Sequence, residues 1–340
     1  MKFKEFLKKK DIEFSVKRYL IDALGAMAQG LFASLLIGTI ISTIGTQFHI
    51  PVLETVGGYA KSAQGAAMAI AIGYALKAPA LVLFSLVAVG IASCELGGAG
   101  GPLAVLVITV ISAEFGKLVS KETKIDIIVT PFVTIFIGVV LSMLCAPYIG
   151  QAASAVGKAI MWATELRPFE MGIIVSVIIG IALTLPISSA AICAALSLTG
   201  LAGGAALAGC CAQMVGFAVM SFRENRFGGL IAQGLGTSML QMGNICRRPL
   251  IWIPPTLAAA ITGPISTMVF KLECTGAAAG MGTCGLVGPI GILSDMQGGA
   301  SMWIGILLLC IVAPAVLSLI FSEIMRKVGW IKEGDLKLDL

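Results

Sequence analysis

Residues 80–116 read ALVLFSLVAVGIASCELGGAGGPLAVLVITVISAEFG. Two apolar runs, 80–94 and 102–116, flank Glu95-Leu96-Gly97-Gly98-Ala99-Gly100-Gly101-Pro102. Each glycine costs a helix about 1 kcal/mol relative to alanine, so this middle segment reads as too glycine-rich for a stable helix. Irregular backbone at membrane depth survives only where it is buried in protein or lines a wet cavity. The stretch therefore predicts a helical membrane protein whose chain breaks at depth.

The rest of the chain carries the same signature. Of 340 residues, 58% are hydrophobic and 12% charged, against roughly 25% charged in a soluble domain, and the mean hydropathy is +0.99. A helical span takes about 20 apolar residues. Apolar runs fall near 19–45, 62–79, 80–94, 102–116, 127–147, 169–185, 187–201, 204–221, 249–270 and 300–325. The expected fold class is an all-α polytopic membrane protein with about ten transmembrane helices, two re-entrant or broken segments and a candidate inverted repeat. No polar stretch is long enough for a separate soluble domain, so an ATPase, kinase or phospho-carrier module is expected on another chain. The run from Tyr19 to Gly45 is longer than the h-region of a cleavable signal. Residues 1–18 alternate aromatic residues with lysines, as a helix lying in the membrane interface does.

The net charge of +5 gathers at the two ends, from Lys2 to Arg18 and from Arg326 to Lys337. The positive-inside rule then puts both termini in the cytoplasm and requires an even number of crossings. These lysines read as orientation and headgroup contacts, and nucleic acid is not an expected partner. The cysteines lie mostly in apolar runs without a C-x-x-C spacing and read as buried hydrophobes. With His49 the only histidine, a histidine-based metal cluster is excluded within one chain. No metal or cofactor is expected.

Two more segments resist reading as plain spans. Residues 275–293 carry Gly276, Gly280, Gly282, Gly285, Gly288, Pro289 and Gly291. Residues 229–244 place Gln233, Thr237, Gln241 and Asn244 on one helix face and Ile231, Leu235, Met239 and Met242 on another, which predicts an amphipathic helix. Gly101-Pro102-Leu-Ala-Val-Leu106 and Gly288-Pro289-Ile-Gly-Ile-Leu293 are similar, and each precedes an apolar run with an internal proline, Pro131 or Pro314. Interrupted segments at matching places in two halves point to a transporter's binding site.

Glu95 is the foremost candidate. A carboxylate at membrane depth is costly and faces a cavity or a partner. Next to the loosened backbone of Gly97 and Gly98, it could accept hydrogen bonds from hydroxyls or hold a proton; the alternative is a helix-end residue reaching water. Thr184-Leu-Pro-Ile-Ser188-Ser189 breaks the chain again, and its serines either repair the backbone around Pro186 or bind a solute. Gln241 and Asn244 are further candidate ligands, and Asp295 faces the cavity or marks its mouth. Gln213 needs a buried partner. Cys246, next to Arg247 and Arg248, has a setting that can lower a thiol pKa, although the two arginines read equally as membrane anchors. No P-loop, G-x-S-x-G, H-E-x-x-H or carboxylate pair occurs, so no catalytic residue is assigned and the enzyme question stays open.

Cys94-Glu95-Leu-Gly-Gly-Ala-Gly-Gly-Pro102, Thr184-Leu-Pro-Ile-Ser-Ser189 and Asn244-Ile-Cys-Arg-Arg-Pro249, with the lysine-rich start, resemble a phosphotransferase-system EIIC family over nearly the whole chain. In particular they resemble its stand-alone branch, which includes toxin-regulator-like members. The resemblance implies a homodimer in a bacterial cell membrane. Its parts are a basic segment at 1–18, an EIIC-like transmembrane domain at 19–327 and a cytoplasmic tail at 328–340. It implies alternating-access transport of a small polar solute, a sugar or sugar acid, with membrane lipid around it and separate IIA and IIB phospho-carriers as partners. Sugar-binding relatives use a glutamate in a re-entrant hairpin, a role for which Glu95 has the chemistry. They also use a histidine near the sugar, and His49, placed outside, departs from that pattern. The expected site is Glu95, Gly97, Gly98, Ser188, Ser189, Gln241, Asn244 and Asp295. A non-transporting membrane sensor that regulates gene expression is the alternative.

Overall fold

The apolar runs become helices. The computed structural model describes residues 2–164, 166–196, 198–296 and 299–338, and these contain no strand. The helices are α1 (Lys2–Lys9), α2 (Lys17–Phe48), α3 (Pro51–Ser62), α4 (Gln64–Ala75), α5 (Ala80–Gly97), α6 (Gly101–Val119), α7 (Asp126–Thr164) and α8 (Pro168–Thr184). They continue as α9 (Ser189–Ala195), α10 (Gly200–Met220), α11 (Phe222–Ile231), α12 (Met242–Arg247), α13 (Ile253–Ile265), α14 (Gly276–Ala279), α15 (Val287–Asp295) and α16 (Ala300–Lys327). Among the described residues, six stretches are long and apolar enough to cross a membrane: 17–48, 80–119, 126–153, 200–220, 249–270 and 300–327. The chain divides into two compact units, one of Met1–Gly38 with Thr55–Ala152 and one of Thr39–Glu54 with Ala153–Leu340.

In the first unit α2, α4, α5 and α6 pack on one another. Gly116 near the end of α6 lies against Val82 near the start of α5, and Gly101 lies against Cys94. The two helices are therefore antiparallel, and the stretch 80–119 is a helical hairpin. The break between them is narrower than the glycine content suggests. Helix α5 runs through Glu95 and Leu96 to Gly97, and only Gly98 (φ +49°) leaves the helical region before a 3-10 turn leads into α6. The remaining glycines serve packing. A Cβ on Gly100 would stand 2.7 Å from the Ile149 carbonyl oxygen, and one on Gly150 would stand 2.6 Å from that of Gly97.

The N-terminal segment is tied into this unit by charge. Arg18 donates to both carboxylate oxygens of Asp11, at 3.3 and 2.9 Å, and to the Leu76 carbonyl at 2.8 Å. Lys117 is 1% exposed, yet its ammonium donates to the carbonyls of Asp11 (2.7 Å) and Leu76 (3.1 Å) and pairs with Glu114 at 3.1 Å. A buried lysine is tolerable because each donor finds an acceptor.

The second unit is built around α10, whose span is 94% buried. Its Gly203-Gly204-Ala205-Ala206 start and later glycines leave no side chain between helices. Helices α8, α10 and α13 pack mutually, and α16 covers α10 and α13. A Cβ on Gly209 would overlap the Ser176 carbonyl, and one on Gly180 would stand 2.8 Å from the Gly209 oxygen. The chain between α14 and α15 is irregular, with Gly282, Gly285 and Leu286 at positive φ, as is Gly276 at the start of α14. It is buried against protein: Gly282 meets Cys210 and Met214 of α10, and Gly280 meets Ser189.

The expectation of one amphipathic helix over 229–244 is corrected. The chain runs from α11 into a π-turn at 232–236, extends at Thr237 (ψ 144°), makes a 3-10 turn at 238–241 and then enters α12. Thr237 turns to cap the Met239 N–H at 3.1 Å. This local hydrogen bond competes with the helical ladder, which is why the face predicted from spacing does not form as one helix.

Two measurements test this packing. Gly209→Leu should lower stability by about 3 kcal/mol or more, read as a lower melting temperature in detergent. Gly58→Ala, in α3 with open space around its Cβ position, should leave stability unchanged or raise it by about 0.4–1 kcal/mol. A second test is acid. The Arg18 side chain holds the Asp11 carboxyl below its ordinary 3.8 against an opposing effect of burial. A depressed carboxylate contributes stability above its unfolded value and loses that contribution as pH falls through the folded one. The melting-temperature gap between wild type and Asp11→Asn should therefore be widest near neutrality and close as pH drops below 3.8.

Candidate functional site

Glu95, Gly97 and Gly98 belong to the first unit, and Ser188, Ser189, Gln241, Asn244 and Asp295 to the second. Glu95 lies in the last turn of α5 and is exposed. Its own carbonyl accepts the Gly98 N–H that closes the helix. The free amides expected beside its carboxylate are reduced to the short turn 98–100.

In the second unit the site residues fall into two groups. Ser188 caps α9 by accepting the Ala191 N–H at 3.2 Å, and Ser189, 3% exposed, donates to the Gly280 carbonyl at 2.7 Å. Both serines thus repair backbone at the breaks. Helix α9 packs on α14, and Thr275, just before α14, donates to the exposed Asp295 carboxylate at 2.8 Å. Ser189 and Asp295 therefore bond to the two flanks of the same short helix.

The second group is a chain of buried amides. Gln241 donates to Gln233 (2.9 Å), Asn244 donates to Gln241 (2.8 Å), and Gln233 donates to Ser221 (2.9 Å). Sequence spacing brought these side chains together by face, and the broken backbone brings them together by contact. Their outer partner is the C-terminal tail. Gln241 and Asn225 donate to the Leu336 carbonyl at 3.0 and 2.8 Å. Asn244 donates to that of Lys337 at 2.8 Å, and Leu338 N–H donates to Asn225 at 2.8 Å. Leu336 is fully buried. The tail lies where the sequence placed a solute, and Asn225 joins the cluster without having been singled out.

A further polar cluster links the same turn to the core. The Thr184 and Ser238 hydroxyls share a 2.7 Å hydrogen bond. Gln213 accepts from Trp252 (3.1 Å) and donates to Thr256 (3.1 Å). Gln213 thereby finds the partners that burial demands. Ser238 and Gln241 sit on one 3-10 turn, so the turn joins the core cluster to the tail-bound amides. Trp252 and Thr256 escaped notice because one lies near the arginines and the other inside an apolar run. The thiol of Cys246 is not activated: burial pushes its pKa above the ordinary value despite the neighbouring arginines.

Helices of membrane-spanning length, packed through glycines and with polar side chains bonded at the chain breaks, define a helical membrane protein. The chain matches the family described as Phosphotransferase system, EIIC, over residues 21–338, and it belongs to that family. It is thus a membrane transport component of a phosphotransferase-type system that works with separate components. Comparison with curated proteins and with solved structures finds no match.

The amide clamp gives a direct test. A hydrogen bond contributes about 1 kcal/mol net, roughly fivefold in an equilibrium. In Asn225→Ala/Asn244→Ala, trypsin cleavage after Lys332 and Lys337 should rise by at least an order of magnitude if cleavage follows the open population. An unchanged rate would mean that these bonds do not hold the tail.

Proposed function

We propose that this protein carries a small polyhydroxylated solute, a sugar or sugar acid, across a bacterial cell membrane by EIIC-type alternating access. In this reading the transmembrane domain of residues 19–327 makes about ten crossings with both termini cytoplasmic. The breaks at 98–100 and 276–295 serve as its re-entrant elements, and the protein works as a homodimer. Glu95 accepts solute hydroxyls beside Gly97 and Gly98. Ser188, Ser189 and Asp295 border the second break, and Gln241 and Asn244 become ligands when residues 336–338 lift away. Phosphorylation, where it occurs, comes from separate IIA and IIB proteins.

The observation that carries this function is the irregular chain between α14 and α15, packed on α10 at Gly282 and bonded by Ser189 at the Gly280 carbonyl. Interrupted helices supply hydrogen-bonding backbone at the depth where transporters hold their substrates. The EIIC family membership agrees with that use. The second function, a sensor that binds solute without moving it, is favoured by the cleft of about 680 Å³ beside segment 223–226. Arg223, Arg326, Lys332 and Lys337 line this cleft with Glu224 and Glu333; Arg326 is paired with Glu224 and Arg223 with Glu323, which leaves Lys332 and Lys337 to meet a cytoplasmic partner.

A thermal screen of purified protein against sugars, sugar acids, sugar phosphates and other small carboxylates tests the site. A ligand at 100 times its dissociation constant adds about 2.7 kcal/mol of stability. Stabilisation of wild type by a sugar, with loss of the effect in Glu95→Gln, is the expected result. An equal response in the variant removes Glu95 from the site. Saturable flux of the same ligand in liposomes then identifies a carrier, and binding without flux identifies a sensor.

A further inference from the structure

The first unit contains a cleft that the transport reading does not use. It has a volume of about 390 Å³ and is lined by Lys9, Lys10, Lys77, Lys117 and Lys121 together with Asp11, Pro79, Ser120 and Glu122. The charges on and beneath its walls can be paired off. Asp11 is held by Arg18, Glu114 by Lys117 and Glu122 by Lys10. Lys10 also donates to the Ser120 carbonyl, and Lys117 spends its donors on Asp11, Leu76 and Glu114. Asp126, close by, is bonded by the Lys121 main-chain N–H and the Thr130 hydroxyl, not by an ammonium.

The charges that remain unpaired are the ammonium groups of Lys9, Lys77 and Lys121 and, beside Lys121, the Asp126 carboxylate. Among the described residues no carboxylate lies within ion-pair distance of Lys9 or Lys121, and the contact of Lys77 to Asp11 is 3.9 Å, to a group already committed to Arg18. The backbone around the cleft is also unusual. Asp11 (φ +51°), Lys77 (φ +55°) and Lys121 (φ +61°) all occupy the left-handed region, which non-glycine residues adopt at a cost of about 1–3 kcal/mol. The Leu76 carbonyl beside Lys77 is fixed by both Arg18 and Lys117. The cleft therefore has a charge-balanced floor and, in its lining, three lysines that outnumber the one unpaired carboxylate nearby.

We propose that this cleft binds a phosphate group through Lys9, Lys77 and Lys121. An ammonium is a compact point charge with three donors, and three lysines lining one cleft suit the distributed oxyanion of a phosphate ester. The cleft joins the ends of α1 and α6 to the turn between α4 and α5, so an occupant bridges the N-terminal segment to the helices it packs on. The same chemistry is offered by an anionic phospholipid headgroup and by a soluble phosphate. The position of the cleft at the ends of apolar helices favours the lipid.

The test is the melting temperature of delipidated protein in neutral detergent. Phosphatidylglycerol should raise it by several degrees relative to phosphatidylcholine, and the rise should shrink with added salt. Lys9→Gln/Lys77→Gln/Lys121→Gln should lose the rise. The charge-matched control Lys17→Gln/Lys61→Gln/Lys327→Gln, whose positions lie outside the cleft, should keep it. Equal protection by millimolar inorganic phosphate or glycerol phosphate, again lost in the triple variant, assigns the site to a soluble phosphate. No protection by any of these, or protection that survives the cleft variant, or loss of it in the control, overturns the proposal. None of these outcomes depends on which solute is carried.

Discussion

Close approach of helix backbones is the constraint on which the rest of this structure depends. Lipid chains are as apolar as leucine, so helices in a membrane gain little from burying apolar side chains against one another, and association relies on van der Waals packing and polar contacts. Here the packing is made by glycine facing backbone. Gly65 meets Gly90, Gly30 meets Ala67, Gly172 meets Gly263 and Gly209 meets Ser176. Helix α10 can be almost wholly buried because so much of its surface is glycine and alanine. By contrast, the 126–153 stretch is only 22% buried and shows large apolar side chains outward, among them Phe132, Phe136, Met143 and Leu144.

Tight packing leaves the polar groups no water, so each must find a protein partner. The structure meets this demand at the chain breaks. Thr184 and Ser238 bond to each other, Gln213 is shared between Thr256 and Trp252, and Ser189 covers the Gly280 carbonyl. The amides of Asn225, Gln241 and Asn244 are satisfied by main-chain groups of the tail. These last contacts are made to the backbone of a segment that follows the turn at 333–336, and the buried Leu336 side chain anchors it as well. They also occupy the amides of Gln241 and Asn244, so any other partner of these side chains competes with the tail.

Much of this was legible in the sequence. The apolar runs announced the helices, and the sequence break at 184–189 is a break in the structure, with α8 ending at Thr184 and α9 beginning at Ser189. The glycines of 276–291 announced irregular backbone. Glu95 was harder to place. Glycine next to a carboxylate suggested an open loop, yet Gly97 and Gly100 serve helix packing, and α5 continues past Glu95. Residues 229–244 misled in another way, because Thr237 caps its own turn and divides the face that spacing had drawn. The amides on that face still meet, since a 3-10 turn and a short helix bring Gln241 and Asn244 back onto Gln233.

The sequence by itself determined that this chain is helical, belongs in a membrane and breaks at particular glycines and prolines. Those properties follow from hydropathy and from local backbone preferences, which act within one or two turns. Only the tertiary structure decided which glycines are hinges and which are contact points, because that depends on the helix lying opposite. It alone decided that the tail bonds to Gln241 and Asn244, across more than ninety residues of chain. It alone paired Lys117 with the carbonyls of Asp11 and Leu76 and left Lys9, Lys77 and Lys121 without carboxylates of their own. Charge pairing is a matter of distance in space, and the order of residues does not fix that distance until the helices have packed.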